Sequence, residues 1–584
     1  MSGTLRSQLD LLRAQLFTER STFEPHWRDL GDYILPRRPR FFVTDVNNGD
    51  RRNQKIIDST ARMSARTLAS GMMSGVTSPS RPWFRLSTGI REFDEIGSVR
   101  RWLNDTRDDI LRIFNKSNLY NVLPIVYGDL GTFGTAAMLI EEDFTDNVIH
   151  FRSFPIGSYF LGLDEKGRVN VFMREFMMNS RQIIEKFATK PDGSVDLNNV
   201  STQIKDSYLN GHTERWFYVT HVIRPNPKYK PNKSESKFKK YQSVYYEQGL
   251  SKQFFNGQSA GSATTDVGYG GDEDKILREA GYDFFPVFAP RWEVTGEDVY
   301  GTDCPGMIAL GDIKALQLMH KRKAQALEKK VNPPLVAPPS LKNKQTSMLP
   351  GDITYLDESQ GTARLRPLHE VNFQLSELFQ DIQEHQTRIQ RAFYEDLFLM
   401  LARSDRRQIT AREIEERHEE KLLALGPVLE QINQDLLDPL IDAAFSIMVE
   451  RGDLISDPPE ELQGVDLKVE YISIMAQAQK TIGVSSVERF VGFVGQMAGF
   501  DPTVADKLDT NKIIDKYGDM VSVDPNMVRT DEEVEQIRQQ RAQAQQQQQQ
   551  AQSLKDSASA AKDLSQAQIG NDGTNVLDLL AGRG

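Results

Sequence analysis

The nearest approach to a phosphate-binding loop in the sequence is the glycine cluster Gly268-Tyr269-Gly270-Gly271. Acidic residues follow it directly, and their charge would repel a phosphate instead of holding it. The sequence contains no G-x-x-x-x-G-K-[ST] motif, which argues against an ATPase. H-E-x-x-H, C-x-x-C and G-x-S-x-G patterns are missing as well. We therefore expect no catalytic centre, no metal and no cofactor.

The other reactive side chains are few and scattered. Cys304 is the single cysteine, so a disulfide within the chain is impossible and a reducing compartment is predicted. We interpret Cys304 as a small buried apolar residue. His369 and His385 are too far apart on one helix to bind a metal together, and each is interpreted as a surface or helix–helix residue. His418, beside two glutamates, indicates a solvated face.

Basic residues give the sharper signals, in two groups. The polar break around Arg403, Arg406 and Arg407 either turns the chain between two helices or contacts a polyanion. The second group lies on one predicted helix, where it is either a solvated face or an assembly surface. Its members are Lys314, Lys321, Arg322, Lys323, Lys329 and Lys330.

Length and charge limit the possibilities. With 584 residues the chain is too long for one core, so several modules are expected. No run of about 18 apolar residues occurs, so no membrane helix is predicted. The N-terminus has the pattern of an amphipathic helix and not of a signal peptide. The net charge of −11 argues against tight binding of DNA, but an acidic wall would let DNA slide.

Hydrophobic periodicity predicts helices before residue 134 and an α+β module after it. Helical spacing covers residues 4–35, 53–75 and 92–133. From 134 to 300 we predict a small mixed sheet with one helix at 180–188 and a flexible glycine-rich loop at 256–272. The predicted strands lie at 136–140, 169–173, 216–222 and 243–246.

Two long helices then flank a proline-rich insert. Helical patterns cover 306–331 and 372–400, and prolines at 333–339 end the first helix. The insert also contains a predicted strand, Asp352–Leu356. If the helices are antiparallel, the insert lies at the far end of a hairpin.

The remaining sequence predicts more helices. Thr410 and Glu413 form a capping box that opens a helix reaching about residue 450. Several shorter helices are predicted over 475–520. The glutamine-rich tail from 531 is either a solvated helix or disordered.

Four segments resemble one protein family. The long segment Leu68–Leu86, LASGMMSGVTSPSRPWFRL, is similar to a signature of the podovirus head-to-tail connecting proteins, which are the portals of short-tailed bacteriophages. Tyr300–Leu316 is similar to the start of that family's stem. Pro333–Pro338 also resembles a segment of the family, and Thr410–Ile414 resembles the start of the helix that follows the tunnel loop in portals. The resemblance covers about residues 5–545.

The resemblance implies the portal fold: mainly α with an α+β wing, assembled as a ring-shaped oligomer. It implies a wing with a helical N-terminus and a small mixed sheet, a stem helix pair, a clip, a tunnel loop and a crown with a C-terminal extension. The implied boundaries are 1–305 wing, 306–331 stem helix 1, 332–369 clip, 370–397 stem helix 2, 398–409 tunnel loop, 410–451 long wing helix, 452–530 crown and 531–584 helical or disordered extension.

The implied function is structural and not enzymatic. A dodecamer at the unique capsid vertex would conduct the genome during packaging and ejection, with transient, non-specific contacts to double-stranded DNA. Its other implied partners are the terminase large subunit, the major capsid protein and scaffold, the tail adaptor or head-completion protein, and internal core or ejection proteins at the crown. It would be found in the virion, and in the host cytoplasm during assembly, with no membrane partner.

The resemblance also assigns candidate residues. The tunnel loop would face DNA through Arg403, Arg406, Arg407 and Gln408. The stem would present Lys321, Arg322, Lys323, Lys329 and Lys330. The clip would dock partners through Pro333, Pro334, Pro338, Pro339, Lys342 and Lys344. Two alternatives remain: a terminase subunit, or a tail or capsid structural protein without a DNA channel.

Overall fold

The chain divides into two compact units, Met1–Ile90 with Ser98–Ala476, and Arg91–Gly97 with Gln477–Gly584. They are seen in a computed structural model. It describes residues 5–45, 49–94, 96–143, 147–190, 192–231, 233, 235–248, 267–268, 276–331, 335–336, 366–367, 375–403, 425–452, 454–462, 467–472, 484–498, 508, 512–514, 517 and 531–566.

Helices dominate the described residues. The first ten are α1 (Leu5–Tyr33), α2 (Thr60–Val76), α3 (Arg91–Asp94), α4 (Gly97–Lys116), α5 (Leu119–Phe133), α6 (Ser180–Ile183), α7 (Thr202–Leu209), α8 (Pro305–Val331), α9 (Leu375–Ala392) and α10 (Glu395–Arg403). Residues 425–432 are also helical, and they continue through a wider π turn, Asn433–Leu437, into the helix Asp438–Arg451. None of the helices in the described part of the chain is long and apolar enough to cross a membrane.

Within the described residues, the strands form one large sheet and three small ones. They are β1 (Phe84–Ser87), β2 (Ala137–Asp143), β3 (Val148–Phe154), β4 (Tyr159–Leu163), β5 (Val169–Asn179), β6 (Trp216–Pro225), β7 (Tyr241–Glu247), β8 (Val267–Gly268), β9 (Ile276–Tyr282), β10 (Val287–Phe288), β11 (Leu335–Val336), β12 (Arg366–Pro367) and β13 (Lys468–Tyr471). The large sheet has the order β4-β5-β6-β7-β9, with β8 parallel to β6 and the other pairs antiparallel. The small sheets are β10-β2-β3, β1-β13 and β11-β12.

The large sheet is covered on both faces because its strands alternate two sets of apolar side chains. Met173 and Val222 face α1, where they pack with Leu9 and Leu16. The neighbouring positions Phe217 and Val219 point the other way and pack with the helical segment of α6 and α7. Burying both sets fixes the register, since a slip of one residue would exchange the faces.

The four strands predicted between residues 134 and 300 are confirmed, lying in β2, β5, β6 and β7. Three of them, β5, β6 and β7, form the centre of the expected mixed sheet, which β4, β8 and β9 extend, whereas β2 lies in the small sheet β10-β2-β3. Short length and a glycine conceal β4, Tyr159–Leu163. The predicted loop 256–272 is wrong at Val267–Gly268, which pairs with the start of β6.

Several predicted helix bounds need correction. The helix expected at 92–133 is three helices, and Asn118 separates the last two by bonding its side chain to both backbone groups of Phe151 in β3, at 2.7 and 2.8 Å. The helix expected from 53 begins at Thr60. The helix expected at 372–400 breaks at Tyr394, which adopts a φ of 54°.

The second unit contains the helices Val484–Ala498 and Asp531–Gln566. The latter has 36 residues, which corresponds to about 54 Å. Of the two readings left open for the glutamine-rich tail, the helix is correct over these residues, and its glutamines 545–550 are exposed. The helix 484–498 confirms one of the shorter helices expected at 475–520.

Candidate assembly and DNA-contact site

Helices α8 and α9 form an antiparallel pair. Early in α8, Asp312 Oδ1 lies 2.8 Å from His385 Nδ1 of α9. Later in α8, Lys323 Nζ lies 4.0 Å from the ring centroid of Phe379. The partners therefore run backwards along α9, and the antiparallel pair β11–β12 follows beyond the helices. The sequence predicted a hairpin on the condition that these two helices are antiparallel, and the structure meets that condition.

The start of α8 is held against the end of α5 by close backbone approaches. A Cβ at Gly301 would lie 2.1 Å from the carbonyl oxygen of Gly134, and one at Gly306 would lie 2.5 Å from that of Thr132. Tyr300, fully buried, places its ring on Trp27 and accepts a hydrogen bond from the backbone N–H of Leu161 at 3.1 Å. Only glycine fits at positions 301 and 306. This segment therefore fixes the direction in which α8 leaves the core.

Cys304 lies within this segment and is fully buried. Burial raises the pKa of its thiol to about 12. The thiol is therefore neutral at physiological pH, which removes the nucleophilic thiolate form. The interpretation of Cys304 as a small buried residue agrees with this environment.

Further along α8, Gln317 holds the segment that precedes α2. Its Oε1 accepts hydrogen bonds from the backbone N–H groups of Ile57 and Asp58 at 2.6 and 2.8 Å, and its Nε2 donates to the Asp58 carbonyl at 2.9 Å. Lys314 Nζ donates to Asp29 of α1 at 2.6 Å. These contacts attach the first half of α8 to the helical N-terminus.

The signature segment Leu68–Leu86 supports the helices that follow the hairpin. Gly71 of α2 faces Phe398 of α10 so closely that a Cβ there would lie 2.2 Å from the ring. Ser64 Oγ donates to Glu395 Oε2 at 2.6 Å across the same contact. Together these contacts place α10 directly on α2, after the break at Tyr394.

The second half of the signature segment enters an aromatic cluster. Trp83 is fully buried, lies parallel to the rings of Phe114 and Tyr471, and donates its indole N–H to Tyr120 Oη at 3.2 Å. Arg85 Nη2 lies 2.6 Å from Glu470 Oε2 across the β1–β13 pair. Trp83 and its neighbour Phe84 are therefore packing residues of the core, whereas Pro79, Ser80, Arg81 and Pro82 of the same segment are exposed.

The structure describes only part of the predicted DNA-contact and docking residues. Arg403 is the last residue of α10, and residues 398–403, expected in the tunnel loop, are helical. Lys321, Arg322 and Lys329 are exposed on the second half of α8, Lys323 is half-buried, and Lys330 lies in the same helix. The other predicted residues, namely Arg406, Arg407, Gln408, Pro333, Pro334, Pro338, Pro339, Lys342 and Lys344, lie outside the described residues, as do Asp352–Leu356, His369, Thr410, Glu413 and His418.

Sequence reasoning missed two buried ion pairs, each of which connects a helical segment to a residue distant in sequence. Arg38 Nη2 lies 2.6 Å from Asp129 Oδ2 of α5, whose side chain is 2 % exposed. Burial raises the pKa of Asp129, and the Arg38 charge opposes that rise. Arg291 Nε, after β10, lies 3.1 Å from Asp435 in the π turn. Arg38 lies in a visibly basic stretch, but no local pattern indicated its partner 91 residues away.

The large sheet contains a buried histidine that the sequence also did not indicate. His221 stacks on Tyr245 with ring centroids 3.8 Å apart, and its Nε2 lies 2.9 Å from Ser243 Oγ. Burial, together with the charges of Arg174 and Lys186, lowers the pKa of His221 well below its ordinary value. His221 is therefore neutral at physiological pH. Among the residues that the structure places, no His, Cys, Asp and Glu group has the arrangement of a metal site.

The described geometry is a helical hairpin fixed at one end to an α+β core, with charged residues exposed on its other half. The sequence matches the family described as bacteriophage head to tail connecting protein over residues 6–260 and 262–528. The chain belongs to this family, as the segments Leu68–Leu86 and Tyr300–Leu316 predicted.

Two relatives show how far the similarity extends. The chain is 47% identical over 535 residues to the portal protein of Salmonella phage epsilon15, covering 92% of this chain and 91% of that protein. It is 43% identical over 514 residues to the probable portal protein of Bordetella phage BPP-1, covering 88% of this chain and 87% of that protein.

Proposed function

We propose that this head-to-tail connecting protein is the portal subunit of a short-tailed bacteriophage. Copies of the chain form a ring at one capsid vertex, through which the genome enters during packaging and leaves during ejection. Support comes from the two portal relatives, which align with nine-tenths of the chain. The observation that carries the proposal is the antiparallel α8–α9 hairpin, because it brings both ends of the insert 332–369 to one end of the stem.

The proposed division of the chain follows this hairpin. Residues 1–305 form the wing, whose α+β part is the large sheet. Helices α8 and α9 form the stem, and 332–369 form the clip between them. The tunnel loop follows α10 and therefore begins at residue 404, not 398. Residues 410–451 form the long wing helix, 452–530 the crown, and 531–584 its extension, helical through Gln566.

We propose that the ring is a dodecamer with a central channel for double-stranded DNA. Cyclic symmetry repeats each channel residue once per subunit, so one arginine becomes a ring of positive charge. Arg403, the last residue of α10, and the tunnel-loop residues Arg406, Arg407 and Gln408 contact phosphates of the DNA backbone. The acidic balance of the chain, −11 per subunit, keeps the overall attraction weak enough for DNA to slide.

The DNA-contact assignment has its own test. Replacing Arg403, Arg406 and Arg407 with alanine removes three phosphate contacts per subunit but leaves the hairpin intact. Assembled particles with this variant are expected to package or retain less DNA than wild-type particles, measured as DNA per capsid. Unchanged packaging, retention and ejection would remove the tunnel loop from the proposed contact.

We assign the other partners by position. The clip docks the terminase large subunit during packaging and the tail adaptor afterwards, through its prolines and Lys342 and Lys344. The wing meets the major capsid protein and the scaffold, and the crown meets internal core or ejection proteins. The protein is a virion component that assembles in the host cytoplasm. No catalytic step and no cofactor is part of this proposal.

Electron microscopy of the purified full-length chain tests the ring. Class averages are expected to show rings with a central channel and twelve-fold symmetry. A chain that stays monomeric over a wide range of concentration and salt would overturn the proposal. Hydrolysis of ATP or cleavage of DNA by the purified chain would favour a terminase subunit, and closed rings without a channel would favour a tail or capsid structural protein.

A further inference from the structure

Helix α8 has an exposed stripe that nothing within the described residues covers. Ile308 and Leu318 are 61% and 48% exposed, although both are large apolar residues in the stem. They belong to a series spaced by alternating steps of three and four residues, which places all members on one helix face. The series, called here the α8 stripe, is Ile308, Gly311, Ala315, Leu318, Arg322, Gln325 and Lys329.

Alternating steps of three and four are the spacing at which one helix packs along another. Within the described part of the chain, the side-chain contacts of α8 come from residues outside the stripe, although Ala315 is half-buried. Asp312 and Lys323, which contact α9, and Gln317, which contacts the segment before α2, all lie outside it. A second helix along the α8 stripe would therefore leave the described contacts of Asp312, Lys323 and Gln317 in place.

Helix α9 has a matching stripe on its exposed face. Its members follow the same three–four spacing and are all exposed. They are Glu377, Gln380, Glu384, Thr387 and Arg391, called here the α9 stripe. Asp381 lies beside it and is also exposed. This stripe too is separate from His385 and Phe379, which contact α8.

The two stripes carry opposite charge at the same end of the hairpin. Because α8 and α9 are antiparallel, the second half of α8 lies beside the first half of α9. Arg322 and Lys329 are at this end of the α8 stripe, and Glu377 and Asp381 are at this end of α9. None of these four residues forms an ion pair with another described residue, although all four are exposed.

We propose that the α8 stripe of one subunit packs along the α9 stripe of a second copy of this chain, with Arg322 and Lys329 facing Glu377 and Asp381. The inference rests on the proposed ring. Rotation about a ring axis keeps each residue at its height, so the basic end of one hairpin meets the acidic end of the next. Two different surfaces that pair in this way form a closed ring when the rotation closes. The basic stem residues on the stripe then join subunits and do not line the channel.

Charge reversal tests this pairing. The acidic variant Arg322→Glu/Lys329→Glu carries negative charge on both stripes, and the basic variant Glu377→Lys/Asp381→Lys carries positive charge on both. Each alone is expected to need at least about tenfold more subunit than wild type to form rings, because like charges face each other. Mixed together, they are expected to form rings in which the two variants alternate.

Native mass spectrometry separates the outcomes, since it counts each variant in a ring. Lys321→Glu is the matched control, because Lys321 is exposed beside the stripe but outside it, and it is expected to form rings as wild type does. Circular dichroism checks that each variant is folded. Rescue by mixing cannot arise from two misfolded chains, so it distinguishes an interface from a folding defect.

Two results would overturn the pairing. If both variants form rings as readily as wild type but bind DNA differently from it, the basic residues contact DNA and the ring proposal stands. If the variants assemble poorly and mixing restores nothing, the charges do not face each other. Failure of the wild-type chain to form rings at all would instead overturn the proposed function.

Discussion

The contact between Gly71 and Phe398 yields a sharp test of how the hairpin is mounted. Gly71→Ala adds one methyl group to α2 at the point where α10 lies on it. The added Cβ would be 2.2 Å from the Cγ and Cδ1 atoms of Phe398, a separation that packed carbon atoms do not adopt. Either Phe398 leaves its rotamer or α10 moves away from α2.

The expected size follows from two opposing effects. Alanine is favoured over glycine inside a helix by about 1 kcal/mol. Forcing a methyl group into a packed contact costs about 1–3 kcal/mol. Gly128→Ala, in the interior of α5, isolates the first effect, because its Cβ would meet Ala69 Cβ at an ordinary 3.8 Å. Helix propensity cancels between the variants, so Gly71→Ala should be less stable than Gly128→Ala by about 1–3 kcal/mol.

The assay is urea-induced unfolding followed by tryptophan fluorescence. Subunit concentration must be the same for every variant, because assembly shifts the apparent stability. The double variant Gly71→Ala/Phe398→Leu should recover part of the loss, since the smaller side chain relieves the clash. If Gly71→Ala and Gly128→Ala differ by less than about 0.5 kcal/mol, within the usual range for uncrowded sites, α10 does not lie on α2 as described.

Three further perturbations follow from the supports of the hairpin. Asp129→Asn leaves the Arg38 guanidinium without its charged partner in the core, and is expected to lower the free energy of unfolding by about 3–5 kcal/mol in urea titrations. Gln317→Leu removes the acceptor of two backbone N–H groups and should cost about 1–3 kcal/mol in the same assay. The Cys304 thiol should stay unlabelled by iodoacetamide at pH 8 in the folded chain and react fully in urea, because burial raises its pKa to about 12.

Asp129→Asn has a matched control, and each of the three perturbations has a result that would contradict it. Lys55→Ala breaks an ion pair with Asp32 in which both side chains are about half exposed, so it should change stability by less than about 1 kcal/mol. An equal effect of Lys55→Ala and Asp129→Asn would contradict the buried pair. If Gln317→Leu leaves the free energy of unfolding nearly unchanged, water satisfies the backbone N–H groups of Ile57 and Asp58 in place of Gln317. Rapid labelling of Cys304 in the folded chain would show that the start of α8 is open to solvent.

Elements with a strong internal period were predictable from sequence. The apolar spacing in α1, α8 and α9 is visible locally, because one face of each helix must be buried. The break at Tyr394 was not visible, since the apolar pattern continues across it while α10 turns to pack on α2. Short strands such as β4 and β8 were also missed, because their pairing partners are distant in sequence and set their structure.

For the candidate site, the sequence supplied the family and the order helix, insert, helix, along with the location of the basic residues. It did not supply their roles. The signature residues Gly71 and Trp83 proved to be packing residues, whereas an unusual motif of this kind often marks a functional surface. The exposed stripes became recognisable only when the contacts inside the hairpin were known, because both faces of α8 contain apolar and charged residues.

By itself, the sequence indicated most of the helical segments, the proline-rich segment between two long helices, and the family to which the chain belongs. These properties depend on local spacing and on residue identities read in order. Only the tertiary structure decided that α8 and α9 are antiparallel, that Gln317 attaches α8 to the segment before α2, and that Gly71 faces α10. Those properties depend on contacts between residues far apart in sequence, such as Gly71 and Phe398, which are 327 positions apart. The energy of such contacts comes from packing in three dimensions, and no local pattern in the chain encodes it.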